Sequence, residues 1–173
     1  MRMKKLNLLA LILIMGIAFV SCDKSDETEF DVMTKSLLSE DPSGPETPAG
    51  VAPYIIPGAN KGGNRTCAEV GMFFKNDPAF FDYCGDKVDF GNFAGAFPEG
   101  LNVTSDGKTL SFMADECIMI GDKYYKVGAV IVKGGNAANV YFYEGGTLSD
   151  MNLTAPVNAS GKPAGISNVT FCY

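Results

Sequence analysis

The sequence predicts an all-β domain, a single antiparallel β-sandwich or jelly-roll-like fold, behind a signal segment and a flexible acidic tether. Three observations predict it. Glycine and proline punctuate the chain roughly every 8 to 15 residues after Pro53, and no window there keeps a 3.6-residue apolar period for three turns. Between the breaks lie short runs rich in Val, Ile, Tyr and Phe, the residues that suit a pleated, half-buried surface. Four cysteines fall in the same region, enough to staple a small exported core twice.

Residues 1–21 open with Arg2, Lys4 and Lys5, followed by an apolar run from Leu6 to Val20 broken only by Asn7. A basic start, an apolar core of this length and a small residue before the break make a secretory signal. The run falls short of the ~20 apolar residues that span a bilayer. Phe19-Val20-Ser21-Cys22 resembles the cleavage box of bacterial lipoproteins, with Phe19 where leucine is usual. That resemblance implies lipidation of Cys22, which becomes the first residue of the mature chain and its membrane anchor. The alternative is an ordinary signal peptide that leaves Cys22 as a thiol.

Residues 22–52 form the tether. Between Asp23 and Glu46 there are eight acidic residues against two lysines, among Ser, Thr and Pro. Such a composition buries too little apolar surface to order itself. Phe30 to Leu38 carries Phe30, Met33, Leu37 and Leu38 at helical spacing. The tract Asp23-Lys24-Ser25-Asp26-Glu27 resembles the export signal of Bacteroidetes surface lipoproteins, which implies the outer face of the outer membrane. A solvated spacer is the other reading.

Residues 53–173 make the folded domain. It holds twelve acids and nine bases and shows no basic stripe, so nucleic acid is not an expected partner. Leu101 to Phe112 reads as a hairpin about Asp106-Gly107. Tyr125 to Gly135 is a continuous apolar run, the pattern of a strand covered on both faces. After the Gly134-Gly135-Asn136 turn, Val140 and Phe142 point one way and Tyr141 and Tyr143 the other. Ile166 to Cys172 is the last strand.

"AVIVKGGNAANVYFYEGG", the S-D-x-x-L-x-x-P-x-N loop after it and the terminal "SNVTFCY" resemble a carboxy-terminal module of secreted bacterial surface proteins. "GNRTC", from Gly63, looks like that module's opening, and Asn168 stands where the module usually has histidine. The resemblance implies an extracellular β module and no particular activity. It also bears on the cysteines. Cys67 and Cys172 belong to the shared framework and Cys84 and Cys117 do not, which implies the pairs Cys67–Cys172 and Cys84–Cys117. Sequential pairing, Cys67–Cys84 with Cys117–Cys172, stays open.

The chemistry is limited by what is missing. The chain has no histidine and no C-x-x-C pair, which excludes a histidine-based triad and argues against the closely spaced ligand pairs of a zinc site, the alternative to disulfides; no metal and no cofactor are expected. A carboxylate hydrolase would draw on Asp82, Asp86, Asp89, Asp115 or Glu116, none of which is marked as a pair. Asp82, Asp86 and Asp89 also leave open a calcium site of irregular spacing. Eight aromatic residues crowd between Phe73 and Phe97, and most of the phenylalanines among them are expected in the core. Tyr141 and Tyr143, extended by Tyr124 and Tyr125, are the candidate ligand-binding platform.

The expectation is therefore a non-catalytic, surface-tethered module that binds or presents a glycan or a protein outside an outer membrane. The alternatives are a structural part of a surface assembly and, behind it, a small hydrolase. Cys22→Ala is expected to abolish lipid labelling and move the protein into the aqueous phase on detergent partition; partition like that of the parent contradicts the anchor.

Overall fold

The computed structural model describes residues 49–57 and 63–173. The signal segment, Cys22 and the stretch Phe30 to Leu38 lie outside the described residues. Nine strands and one helix follow in the order α1 (Cys67–Lys75), β1 (Val88–Asp89), β2 (Leu101–Ser105), β3 (Thr109–Ala114), β4 (Ile118–Ile120), β5 (Lys123–Tyr125), β6 (Val127–Gly134), β7 (Ala137–Thr147), β8 (Ser149–Thr154) and β9 (Asn168–Cys172). All pairing is antiparallel: one sheet in the order β1-β9-β6-β7, a second in the order β2-β3-β8, and the small β4-β5 ribbon.

β6 organises the molecule. Its apolar run alternates between two cores because successive side chains leave opposite faces of a strand. Val130 and Val132 join Tyr141, Tyr143, Val169 and Phe171 in a cluster completed by Leu101, Leu110, Phe112 and Leu153 of the second sheet. Ala129 and Ile131 join Val140 and Cys172 in a separate cluster under the helix, with Val70 and Cys67. The β6–β7 turn is Gly135-Asn136, between the paired residues Gly134 and Ala137, with Gly135 at φ +59°. Gly134 has a different reason to be glycine: a Cβ there would meet Ala155 Cβ and the Gly165 carbonyl oxygen at 2.5 Å.

Helix α1 was not expected. Nine residues are two and a half turns, too few to register as a three-turn period. Its start is nevertheless written in the sequence as T-C-A-E. Thr66 accepts from Glu69 N (3.3 Å), and Thr66 N donates to the Glu69 carboxylate (2.8 Å), a capping box. Asn76 ends the helix in the left-handed region, donating its N–H to Gly71 and Met72 carbonyls.

Two further expectations shift. The β2–β3 hairpin pairs Ser105 with Leu110, and Asp106 N donates to Thr109 O, so the central turn residues are Gly107-Lys108 rather than Asp106-Gly107. Only Gly107 takes positive φ, and the Asp106 carboxylate accepts from Lys108 N and Thr109 N at 2.8 and 2.7 Å, which holds it below the usual carboxylate range. β9 starts at Asn168, because Ile166 N donates to Gly107 O of that same hairpin rather than to a strand partner. Ala49 and Gly50, expected in the tether, donate to Ser149 O and the Asp150 carboxylate.

Phe171 sits where the two sheets meet, 1 % exposed, with its ring 5.3 Å from both Phe97 and Phe112. Phe171→Ala is expected to cost about 3–5 kcal/mol in urea unfolding. A loss below ~1 kcal/mol, smaller than any ordinary cavity cost, would mean the ring does not join the two sheets.

Candidate functional site

Tyr141 and Tyr143 do not form the expected platform. Tyr141 and Tyr143 are each 3 % exposed and lie in the core between the two sheets. β7 has both faces covered, so alternation along it chooses between two buried sides and not between core and water. The Tyr141 hydroxyl donates to Thr154 O and accepts from Thr154 N (2.7 Å). The Tyr143 hydroxyl donates to Asp150 (2.9 Å), a buried carboxylate that also accepts from Gly50 N and Met151 N. Neither ring can stack on a ligand. Tyr124 is exposed and Tyr125 half-buried, but both stand on β5, in a different sheet from β7.

The acidic candidates are also dispersed. Asp82 pairs with Lys123 (3.6 Å) and Asp89 with Lys87 (3.5 Å), both on the exposed surface. Asp86 borders a hollow of about 290 Å³ whose walls include Tyr83, Phe97, Met119, Phe171 and Tyr173, and it is the one carboxylate among the lining residues. Burial lifts the Tyr173 hydroxyl above the ordinary tyrosine range, with Tyr83 adding to it, and that hydroxyl has no hydrogen-bond partner among the described residues. A hollow with a single carboxylate does not supply the acid–base pair of a glycosidase.

What the fold does gather on the surface is aromatic. Tyr54 bonds into the outer edge of β7, its N–H and C=O both exchanged with Val140 at 2.8 Å. Its ring lies 5.1 Å from Phe73 and 5.7 Å from Phe74 on α1. Phe74 stacks on Phe142 at 4.5 Å, and Phe142 reaches Phe80 at 5.9 Å. The inner members of this chain, Phe74 and Phe142, pack on the helix-side core. The outer members do not: Tyr54, Phe73 and Phe80 are 40 to 48 % exposed, and Met72 and Ile55 are more than 45 % exposed beside them in the chain.

A charged rim flanks the patch. Lys75 lies 5.5 Å from the Phe142 ring centre and 5.7 Å from that of Phe80, and it pairs with Glu144, whose carboxyl it holds below the usual range. Phe74, Phe81, Phe93 and Phe97 pack on the two cores, whereas Phe73 and Phe80 stand outside them. The helix explains this: Cys67, Val70 and Phe74 face the sheet, while Met72 and Phe73 fall on the far side. Recognising T-C-A-E as a helix start would have exposed this split in the sequence.

The second gathering is sulfur. Cys67, on the first turn of α1, Cys172, at the end of β9, and Cys84, in the segment before β1, hold their Sγ atoms within 4.8 Å of one another. The Cα–Cα distances from Cys67 are 5.6 Å to Cys172 and 5.9 Å to Cys84, both within the span of a disulfide. Cys84 therefore stands beside Cys67 and Cys172, and Cys117 lies outside the group. No protein-family model, curated protein or solved structure matches the chain.

Burial, and then the neighbouring Asp150, raises the Tyr143 hydroxyl far above the ordinary tyrosine range. An unfolded tyrosine releases its proton near pH 10, so the unfolded chain binds fewer protons than the folded one above that pH. The stability this group supports is fully present below pH ~10 and declines above it, by about 1.4 kcal/mol per pH unit for each such tyrosine. Tyr143→Phe is expected to cost about 1.5–3 kcal/mol at pH 7, through the lost bond to Asp150, and to reduce that alkaline slope. Equal slopes for the two proteins in urea unfolding between pH 10 and 11.5 would contradict it.

Proposed function

We propose that the chain is a surface-tethered, non-catalytic β module that binds a partner protein outside the outer membrane through the patch of Tyr54, Phe73, Phe80 and Met72. The observation that carries this reading is the exposure of Tyr54, Phe73 and Phe80, which the chain of ring contacts through Phe74 and Phe142 links together, with Met72 exposed next to Phe73 on α1. Contiguous apolar surface of this kind marks interaction sites on soluble domains. Aromatic and methionine side chains are the types enriched at protein interfaces, inside a polar rim of the kind Lys75 and Glu144 provide.

A protein suits the patch better than a sugar. The exposed rings are not coplanar: Tyr54 and Phe73 meet at 42°, and Phe73 turns 80° from Phe74. A tilted cluster makes sockets for side chains, whereas a flat glycan face calls for a level platform. The address is part of the same proposal. It rests on the basic and apolar start, the Cys22 box and the acidic tract after it.

A photo-crosslinking residue at Phe73, in the full chain on intact cells, is expected to give a discrete protein adduct. The same residue at Met151, more exposed than Phe73 but on β8, is expected to give none. Phe73→Ser should reduce adduct formation from a crosslinker at Phe80 by at least ~10-fold, the effect of losing one interface anchor of about 1.4 kcal/mol or more. Equal labelling from Phe73 and Met151, or adducts indifferent to Phe73→Ser, would overturn the reading.

A further inference from the structure

The hollow beside Asp86, of about 290 Å³, shares no residue with the aromatic patch. Three pieces of chain build it. The segment Tyr83 to Asp86 is fixed to the end of β9, where Tyr83 and Tyr173 exchange both backbone hydrogen bonds (3.2 and 2.8 Å) and Gly85 N donates to Phe171 O at 2.9 Å. The loop before β2 contributes Phe97, whose ring lies 5.3 Å from that of Phe171. The β4–β5 ribbon contributes Met119 and the turn at Gly121, and the Lys123–Asp82 ion pair (3.6 Å) ties this ribbon to the first segment. The volume stands at the small end of ligand pockets, which run roughly 300–1,000 Å³.

The walls are aromatic and apolar, with a single charge. The Tyr83 and Tyr173 rings lie 5.8 Å apart, and Tyr173 continues onto Phe171 at 6.4 Å. Asp86 is the one carboxylate, and neither lysine nor arginine lines the hollow. Lys87, next in the chain, pairs with Asp89, and Lys123, on the ribbon, pairs with Asp82. Asp86 itself has no ion pair or hydrogen bond among the described residues.

That combination selects among guests. An anion meets only repulsion. A hard metal ion takes six or more oxygens, and one carboxylate supplies too few. A neutral apolar molecule strips water from the Asp86 carboxylate and returns nothing. An organic ammonium satisfies both parts: its charge faces the carboxylate, and its carbon body lies against rings that attract a cation. Tyr173 also contributes the one buried side-chain polar atom without a partner among the described residues. Buried hydroxyls are ordinarily bonded, so this wall suits a hydrogen-bonding guest better than a hydrocarbon.

The geometry points to a binding site for a small organic ammonium, an amine with an aromatic or aliphatic body. Asp86 is its counter-ion, and Tyr83, Phe97, Met119 and Tyr173 are its walls. The chain's net charge of −6 favours the arrival of such a cation.

The test uses the full chain in detergent solution at pH 7, carrying ¹³C at the methionine methyls. The Met119 signal is identified by its loss in Met119→Leu, a change at an exposed position. The probe is 2-phenylethylammonium, and 2-phenylethanol is its neutral counterpart. The amine is expected to shift the Met119 signal saturably and to leave that of Met151, on β8, in place. The alcohol should bind about 5-fold more weakly, the effect of one partly exposed ion pair. Asp86→Asn should weaken the amine by the same factor and leave the alcohol unchanged. Because Asp86 is exposed, that variant is expected to keep its melting temperature. A Met119 signal indifferent to the amine, equal affinities for amine and alcohol, or full amine affinity in Asp86→Asn overturns the proposal.

Discussion

Burial of β6 on both faces is the constraint on which the rest of the structure depends. A strand that is apolar on both faces from Val127 to Val132 cannot leave either face to water, so two separate coverings are required. The second sheet supplies one, through Leu110, Phe112 and Leu153. Helix α1 supplies the other, through Val70, Cys67 and Phe74. The flanking strands inherit the arrangement: β9 sends Val169 and Phe171 to one side and Cys172 to the other. The helix is too short to stand alone in water, where isolated helices below ~12 residues are marginal. It exists because the sheet needs its buried face and because its ends are capped.

Much of the β architecture is legible in the sequence because period-two patterning and turn residues are local. The uninterrupted run of β6, the glycine turn after it and the hairpin near Asp106 all show in windows of ten residues. What is not legible is the identity of the neighbour across each face. Tyr141 and Tyr143 alternate correctly with Val140 and Phe142, but alternation alone does not say whether the second face meets water or another layer. Of the covering strands, β2 and β3 lie tens of residues upstream and β8, though it follows β7 directly, belongs to the other sheet, and so the two tyrosines read as exposed when they are core. The exposed rings of Phe73 and Phe80 were missed for the opposite reason, since phenylalanine carries no polar mark to distinguish a wet position from a dry one.

The two surface features at the helix have a common origin. One side of α1 is pressed to the sheet and brings Cys67 to Cys172, while the other leaves Phe73 and Met72 outside. The charged rim fits the same geometry, for Lys75 on the last turn reaches Glu144 on the irregular part of β7. Asp150 shows how little of this depends on surface charge. It is a buried carboxylate held by a tyrosine and two backbone amides, and its place is to hold β8, β7 and the incoming segment at Gly50 together.

β9 follows every other strand in the chain and yet lies inside its sheet, between β1 and β6. Its partners Val88 and Val132 come from well upstream, so the middle of the sheet is the piece to arrive last during synthesis. Until it does, β6 and β1 have open edges facing a gap one strand wide, and the residues of Phe171 and Cys172 are missing from both cores. The β2-β3-β8 sheet and the β6–β7 pair need no part of β9, but the four-stranded sheet cannot close, nor either core fill, until that strand is in place.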